Sequence, residues 1–352
     1  MRFSVVVAVY NVSRFFGRGM AALMAQDYGD FEVILVDDGA TDGSAGLCDA
    51  AAREHANVRV IHSRNEGLGP ARNKGMAVAR GEYVMFYDLD DLLLSNALST
   101  IAARLDEAPV DVLVFSYCEI DAATGRRTVL RFAPQTLRSN EEIRGAYVPE
   151  LCGMRFNNGF MWNKVYRRGF LEEHGLQAEP LRIQQDEVFN LGVYPRAQSM
   201  RVVDDVLLDY FIYSKGNNRS RHIPDRLEIY RTVHRKFLAT CRDWGVGGEA
   251  FRLYVERRFA DSVMEYVRCN VLEGHVAGRG EQTRMMQETM SADDVQAAVA
   301  YILAHGPGEK RPFYEAMRDC DVRRYVRLYG RARRMAALKR RIRLLLKGKF
   351  RQ

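Results

Sequence analysis

The chain has 352 residues, 47% of them hydrophobic, which is enough to bury a full core and suggests two or three structural units. That composition excludes a disordered chain, and no apolar run approaches the roughly 18–20 residues of a membrane-spanning helix. The formal charge of +7 is uneven: residues 322–352 hold thirteen Lys or Arg and no Asp or Glu, so the remainder carries 7 − 13 = −6.

Six scattered cysteines, Cys48, Cys118, Cys152, Cys241, Cys269 and Cys320, form no Cys-x-x-Cys pair, and no clustered histidines accompany them. They read as reduced, mostly buried thiols and not as zinc ligands. The first ten residues enter a strand pattern directly, without a secretory leader, so a cytoplasmic location is expected.

Arg2 to Tyr10 is a β-branched run of the kind found in a central parallel strand. Asn11 and Ser13 then offer turn and N-cap chemistry for a helix to about Gln26. Phe31–Val36 is a second strand ending in Asp37-Asp38-Gly39, and Thr41 or Asp42 caps a helix to about His55. Val58–His62 is a third strand, and Asn65 to Gly75 leads into a helix ending near Arg80. Gly81–Tyr87 is the fourth strand, and it ends in Asp88-Leu89-Asp90-Asp91. Strands alternating with helices of ten to fifteen residues make βαβ units and a mostly parallel sheet.

In such sheets ligands bind beyond the carboxyl ends of the strands. Tyr10, Asp37, Asp38, Asp88, Asp90 and Asp91 all fall there. If extended geometry persists past Tyr87, Asp88 and Asp90 face the same way. Paired carboxylates repel unless a cation lies between them, and hard oxygen ligands suit Mg²⁺ or Mn²⁺ with substrate phosphates completing the shell. An aromatic ring for a flat base, carboxylates for base and ribose donors, and a metal-binding acid pair describe a nucleoside diphosphate site. Arg72 and Lys74 either add cationic contacts or lie on a solvated helix face. A dinucleotide site would need Gly-x-Gly-x-x-Gly after the first strand. Tyr10-Asn-Val-Ser-Arg-Phe-Phe occupies that turn, and Gly67-Leu-Gly69 is a lone Gly-x-Gly that a flexible turn explains.

Four segments in order, Val5-Val-Val-Ala-Val-Tyr-Asn11, Val36-Asp-Asp-Gly-Ala-Thr-Asp-Gly43, Asn65-Glu-Gly-Leu-Gly-Pro-Ala-Arg-Asn73 and Tyr87-Asp-Leu-Asp-Asp91, resemble the signatures of the family 2 inverting glycosyltransferases of GT-A fold, nearest to members that build bacterial capsular and exopolysaccharide repeat units. The resemblance implies that Tyr10 packs on the nucleobase and Asp38 accepts from its ring NH. It puts Arg72 near the nucleotide, Asp88 near the ribose, and Asp90 on the metal with Asp91 beside it. Ala40 replaces the usual Ser after Asp-Asp-Gly.

Beyond residue 105 the chain should build the acceptor side. Asp111–Tyr117 is a further strand, and Thr124-Gly125 suggests a hairpin turn. Met161-Trp-Asn-Lys-Val-Tyr-Arg167 resembles another family segment, with Trp162 either facing a sugar or sitting in the core. In Gln184-Gln-Asp-Glu-Val-Phe-Asn190 the resemblance selects Asp186 as the base that takes the acceptor proton, with Glu187 as fallback and Gln185 where the family has Glu. Tyr210–Ser220 resembles a Tyr-rich strand and a loop that closes over the diphosphate, with Arg219 within reach of a phosphate.

From Pro224 the pattern is helical, with Leu227, Tyr230, Val233, Phe237 and Leu238 on one face. The tail around Met335–Leu346 alternates apolar and basic residues at helical spacing, as in a helix lying on an anionic membrane surface. No nucleic-acid recognition motif accompanies it.

These readings divide the chain into a GT-A catalytic domain at 1–220 (nucleotide-sugar half 1–105, acceptor half 106–220), a helical extension at 221–320 and a basic amphipathic tail at 321–352. The implied function is metal-dependent, inverting transfer of a sugar from a nucleotide sugar, a UDP-sugar by preference, to a glycan or polyprenyl-linked acceptor at the inner face of the cell membrane. The alternatives are a metal-dependent nucleotidyltransferase and a non-catalytic nucleotide- or membrane-binding protein.

Overall fold

The computed structural model describes residues 1–147, 159–213, 222–273, 276–306, 308 and 310–349, with side chains to Leu338. Contacts group the chain into two compact units, one of Met1–Asn218 with Lys236–Val246 and the other of Arg219–Arg235 with Gly247–Gln352.

The first unit opens as β1 (Phe3–Val9), α1 (Ser13–Met24), β2 (Phe31–Asp37), α2 (Ser44–Glu54), β3 (Val58–His62), α3 (Leu68–Ala77) and β4 (Tyr83–Phe86). β1 and β2 are buried along almost their whole length, as continuous apolar runs covered on both faces must be. The order β3-β2-β1-β4 is parallel throughout. β5 (Leu92–Leu93), α4 (Ala97–Glu107), β6 (Val112–Asp121), β7 (Arg127–Leu130), β8 (Gln135–Leu137), α5 (Asn140–Ala146), β9 (Lys164–Arg167), α6 (Arg168–Glu173), α7 (Gln185–Val193) and β10 (Met200–Ile212) follow.

The sheet continues from β4 through β9, β6 and β10 to β5, and here it is mixed. β9 runs antiparallel to both β4 and β6, whereas β6 and β10 are parallel. The turn expected at Thr124-Gly125 joins β6 to β7 as an antiparallel hairpin, with Gly125 in the left-handed region.

The second unit is helical. α8 (Arg226–Asp243) begins in it, and α9 (Glu249–Tyr266) runs on as a π-helical segment, Val267–Leu272, before α10 (Arg279–Ser291), α11 (Asp293–His305), α12 (Arg311–Arg318) and α13 (Val322–Lys349). Along α8 the buried face is Ile229, Tyr230, Val233, Phe237 and Cys241, while the expected Leu227 and Leu238 are only half-buried. Cys48, Cys118, Cys241 and Cys269 are buried, Cys320 is partly exposed and Cys152 lies outside the described residues. Among the described residues no helix is long and apolar enough to cross a membrane.

Candidate active site

The carboxyl edge of the parallel strands is organised by acids that bind backbone N–H groups. Asn11, just past β1, has φ 53°, and its Oδ1 accepts from Thr41 N at 2.8 Å, tying the loop after β1 to the loop after β2. Asn11 and Ser13 were expected to cap α1, but Asp42 does so from the neighbouring loop. It accepts from Ser13 N (2.9 Å) and also from Ser44 N (3.0 Å) and Ser44 Oγ (2.5 Å), so one carboxylate serves the amino ends of both α1 and α2. Tyr10 stands beside this loop with its side chain in solvent, 45% exposed.

At the end of β2, Asp38 is buried and accepts from Glu66 N (2.9 Å) and Gly67 N (2.8 Å), shaping the entry to α3. A carboxylate has about four lone-pair sites, so acceptor capacity remains. Asp37 accepts from Ala40 N and meets His62 Nδ1 at 2.9 Å, and His62 Nε2 reaches Asp49 at 3.0 Å. Those two carboxylates, Asp37 first, hold the imidazole pKa above its ordinary value.

α3 is seated by two close approaches. A Cβ on Gly75 would lie 2.3 Å from Val6, and one on Gly69 would lie 2.2 Å from the Glu179 carbonyl oxygen. The Gly67-Leu-Gly69 pair that resembled a flexible turn is therefore a place where the 178–179 backbone crosses the helix. Asn73 locks the crossing, donating to Ala178 O and accepting from Ala178 N, both at 2.8 Å.

This seating buries Arg72, at 1% exposure, which removes the solvated-face reading for it. Its Nη1 donates to Asp186 Oδ1 at 2.5 Å, its Nη2 donates to Asp88 Oδ1 at 3.2 Å, and its guanidinium lies over the Phe86 ring. Lys74 instead faces outward and pairs with Glu66 at 3.0 Å. Asp186 Oδ2 accepts from Met161 N at 3.0 Å. Asp186 sits in the first turn of α7, behind Gln184 in the left-handed region at φ 60°. Gln185 is buried beside it, where a neutral amide avoids crowding another charge against Asp186. Glu187 packs across Gly159.

After β4 the chain does not stay extended. Asp91 N donates to Asp88 O, so Asp88–Asp91 is a turn, braced by Tyr87 Oη on Asp91 O at 2.8 Å. Asp88 and Asp90 keep partly open side chains, with a buried Leu89 between them in the chain, and the strand alternation expected to align them does not continue past Tyr87. Enclosure, reinforced by the Asp88 charge, pushes Asp90 up to about 6. Enclosure raises Asp88 as well, against the pull of Arg72. Asp91 is 2% exposed and accepts from Phe211 N at 2.8 Å, so it braces β10.

Among the described residues no three His, Cys, Asp or Glu side chains cluster tightly enough to hold a metal by themselves. A mutually repelling pair at Asp88 and Asp90 does suit a hard cation that takes its remaining ligands from substrate phosphates.

Two features carried no usable sequence signal. Arg18, on the exposed side of α1, donates to the Asp90 carbonyl and to Tyr213 Oη (3.1 Å) while stacking on Phe211 at 4.2 Å. Lys164 is fully buried, donates to Phe160 O (2.5 Å) and Asn163 Oδ1 (2.9 Å), and burial pushes it down to about 7. Trp162 is a core residue at 2% exposure, packed against Phe160, Tyr210 and the edge of Tyr117, so the outer rings Phe160 and Tyr210 are the ones left partly open. Arg219 lies outside the described residues.

A mixed αβ sheet, parallel along β3-β2-β1-β4, with an aromatic ring, buried acids and an Asp-x-Asp turn at the carboxyl edge of that half, defines a GT-A type nucleotide-diphospho-sugar transferase fold. Residues 4–175 match the profile described as glycosyl transferase family 2. Those residues form a domain of that family, and the chain is a glycosyltransferase. It is similar to the glycosyltransferase EpsJ of Bacillus subtilis, with 28% identity over 264 residues, 72% of this chain and 74% of EpsJ. It is also similar to the poly(ribitol-phosphate) beta-N-acetylglucosaminyltransferase TarS of Staphylococcus aureus (strain Mu50), with 27% identity over 239 residues, 66% of this chain but only 39% of TarS. The crystal structure of S. aureus TarS 1–349 matches the fold with a TM-score of 0.63 at 19% identity, covering 92% of this chain and 89% of that one.

Proposed function

We propose that this enzyme transfers one sugar, with inversion, from a UDP-sugar to a hydroxyl of a glycan or polyprenyl-linked acceptor in cell-surface polysaccharide biosynthesis. The observation that carries the reading is the convergence of Asp88, Arg72 and Asp186 at the strand edge that also holds Asp38 and Tyr10. The solved complex of TarS with UDP-GlcNAc supports a uridine donor for this fold.

In this reading Tyr10 stacks on the base, Asp38 offers its free lone pairs to the ring NH, and Asp88 accepts from the ribose. Asp88 and Asp90 would hold Mn²⁺ or Mg²⁺, with Asp91 left to its bond from Phe211 and so outside the ligand set. Bound there, the cation supplies positive charge to the departing diphosphate. The acceptor oxygen attacks the anomeric carbon from the face opposite the nucleotide, the bond to the diphosphate breaks, and Asp186 receives the hydroxyl proton. The basic tail on α13 holds the enzyme at the anionic inner face of the membrane, where a lipid-linked acceptor lies.

The test is calorimetry and released-nucleotide assay over a panel of nucleotide sugars with Mn²⁺, on the wild type, Asp90→Ala and Asp186→Asn. Metal-dependent binding of one UDP-sugar that disappears in Asp90→Ala, with turnover but not binding lost in Asp186→Asn, is expected. No nucleotide sugar binding under any condition refutes the proposal, and pyrophosphate release would point to nucleotidyl transfer instead.

A further inference from the structure

We infer that Arg72 is a positioning residue for Asp186, fixing the acceptor-side carboxylate relative to the donor-side acid Asp88, and does not serve as a ligand of the nucleotide. The inference rests on the transferase reading above and assigns a role within that site.

Arg72 is 1% exposed, with the Phe86 ring 5.6 Å from its guanidinium carbon. Its two terminal nitrogens are directed to different carboxylates, one 16 residues along the chain and one 114. A group so enclosed has little surface to offer a nucleotide, and both of its terminal nitrogens are already engaged. What it does control is Asp186. That side chain receives one donor on each oxygen, Arg72 Nη1 on Oδ1 and Met161 N on Oδ2, from two separate segments. Two contacts on different oxygens fix both the position and the rotation of a carboxylate, while lone pairs remain on the partly open side for an acceptor hydroxyl.

The Met161 contact is itself held. Asn190, one turn along α7 from Asp186, donates to the Gly159 and Phe160 carbonyls, and Lys164 donates to Phe160 as well. On the other side the same guanidinium binds Asp88, so donor-side and acceptor-side acids share one rigid planar fork. A lysine would supply the charge without the two diverging donors. A base displaced by about 1 Å loses much of its effect on the rate, because attack needs the acceptor oxygen and base in near-contact geometry.

The experiment compares Arg72→Lys and Arg72→Gln in the wild type and in Asp186→Asn, reading thermal unfolding, calorimetric donor affinity and kcat. Expected is a fall of about 10²-fold in kcat for Arg72→Lys with donor affinity unchanged. In Asp186→Asn the same substitution adds nothing to the loss, because groups that act as a unit are not additive. Weakened donor binding with kcat retained would make Arg72 a nucleotide ligand and overturn the inference, as would additive losses in the double variant. Loss of fold in both Arg72 variants would also overturn it, since the role would then be structural. If Asp186→Asn by itself leaves kcat intact, the assignment of the base fails, a result separate from any of these.

Discussion

Gly69→Ala sets two opposed effects against each other on numbers taken from the structure. Gly69 lies in the first turn of α3, where alanine is favoured over glycine by about 1 kcal/mol. Its Cβ, however, would stand 2.2 Å from the Glu179 carbonyl oxygen and 3.0 Å from the carbonyl carbon, a distance that real Cβ atoms do not show. The 178–179 backbone must retreat by roughly 1 Å to regain ordinary contact. It cannot do so freely, because Asn73 holds Ala178 through two hydrogen bonds of 2.8 Å. Overpacking of this kind costs about 1–3 kcal/mol and each strained hydrogen bond about 1 kcal/mol. The clash wins, and a net destabilisation of about 1–3 kcal/mol is expected in urea unfolding, read as a lower midpoint at constant slope. Gly17→Ala and Gly46→Ala, in α1 and α2 with nothing within 4 Å of the added carbon, are the controls and should gain up to about 1 kcal/mol. Because α3 carries Arg72, turnover in Gly69→Ala should fall further than its stability alone would cause. A Gly69→Ala enzyme as stable as the two controls, with wild-type kcat, would refute the reasoning.

Three further outcomes are expected. His62 bridges Asp37 and Asp49, which raise its pKa, so its contribution is full below its unfolded value near 6.5 and is lost as pH rises through the folded value. Melting curves of wild type and His62→Ala should accordingly differ most below about pH 6.5 and converge as pH rises through the raised folded value. Asp111 is buried and accepts from Arg167 Nε and Nη2 and from the backbone of Gln198 and Ser199, so Asp111→Ala should destabilise by about 2–4 kcal/mol, checked by denaturant titration. It lies at the start of β6, the sheet edge away from the site, so donor affinity should stay unchanged. Finally, the full chain should co-sediment with vesicles rich in phosphatidylglycerol but not with phosphatidylcholine ones, losing the interaction in high salt or on deletion of 322–352. Equal binding to both vesicle types would remove the electrostatic role proposed for the tail.

The parallel half of the sheet was legible because its signals are local. The apolar runs Val5–Val9, Val33–Val36 and Tyr83–Tyr87 read as buried strands, and the acids that follow the second and third, Asp37-Asp38 and Asp88 to Asp91, fall at a strand end. Those acids were therefore locatable from spacing, while the roles expected of them came from the family resemblance. The cap on α1 was not, since Asp42 reaches it from 29 residues away and nothing in Asn11 or Ser13 reveals that competition. The same holds for Arg72. A single arginine in a helix looks solvated until Gly69 and Gly75 let that helix sink onto β1 and under the 178–179 crossing. Arg18 had even less signal, because its partners are a backbone carbonyl and a tyrosine 195 residues away.

The reversed strand β9 explains why Asp88 and Asp186 meet at one guanidinium. In an all-parallel sheet, each strand after β4 would begin at the amino edge, and the Met161–Asn163 segment that precedes β9 would lie at the far side from Asp88. Because β9 is antiparallel to β4, with Met85 opposite Val165 and Tyr83 opposite Arg167, its first residue lies beside the end of β4. The chain just before it is thereby delivered to the carboxyl edge, where Met161 N can hold Asp186 while Arg72 spans to Asp88. β6 then runs antiparallel to β9 and regains the direction of β4, and β10 follows β6 in parallel, bringing Phe211 N to Asp91 at that same edge. One strand inverted at the centre of the sheet thus places Asp186, Arg72 and the Asp-x-Asp turn on a single edge, the arrangement that the proposed transfer requires.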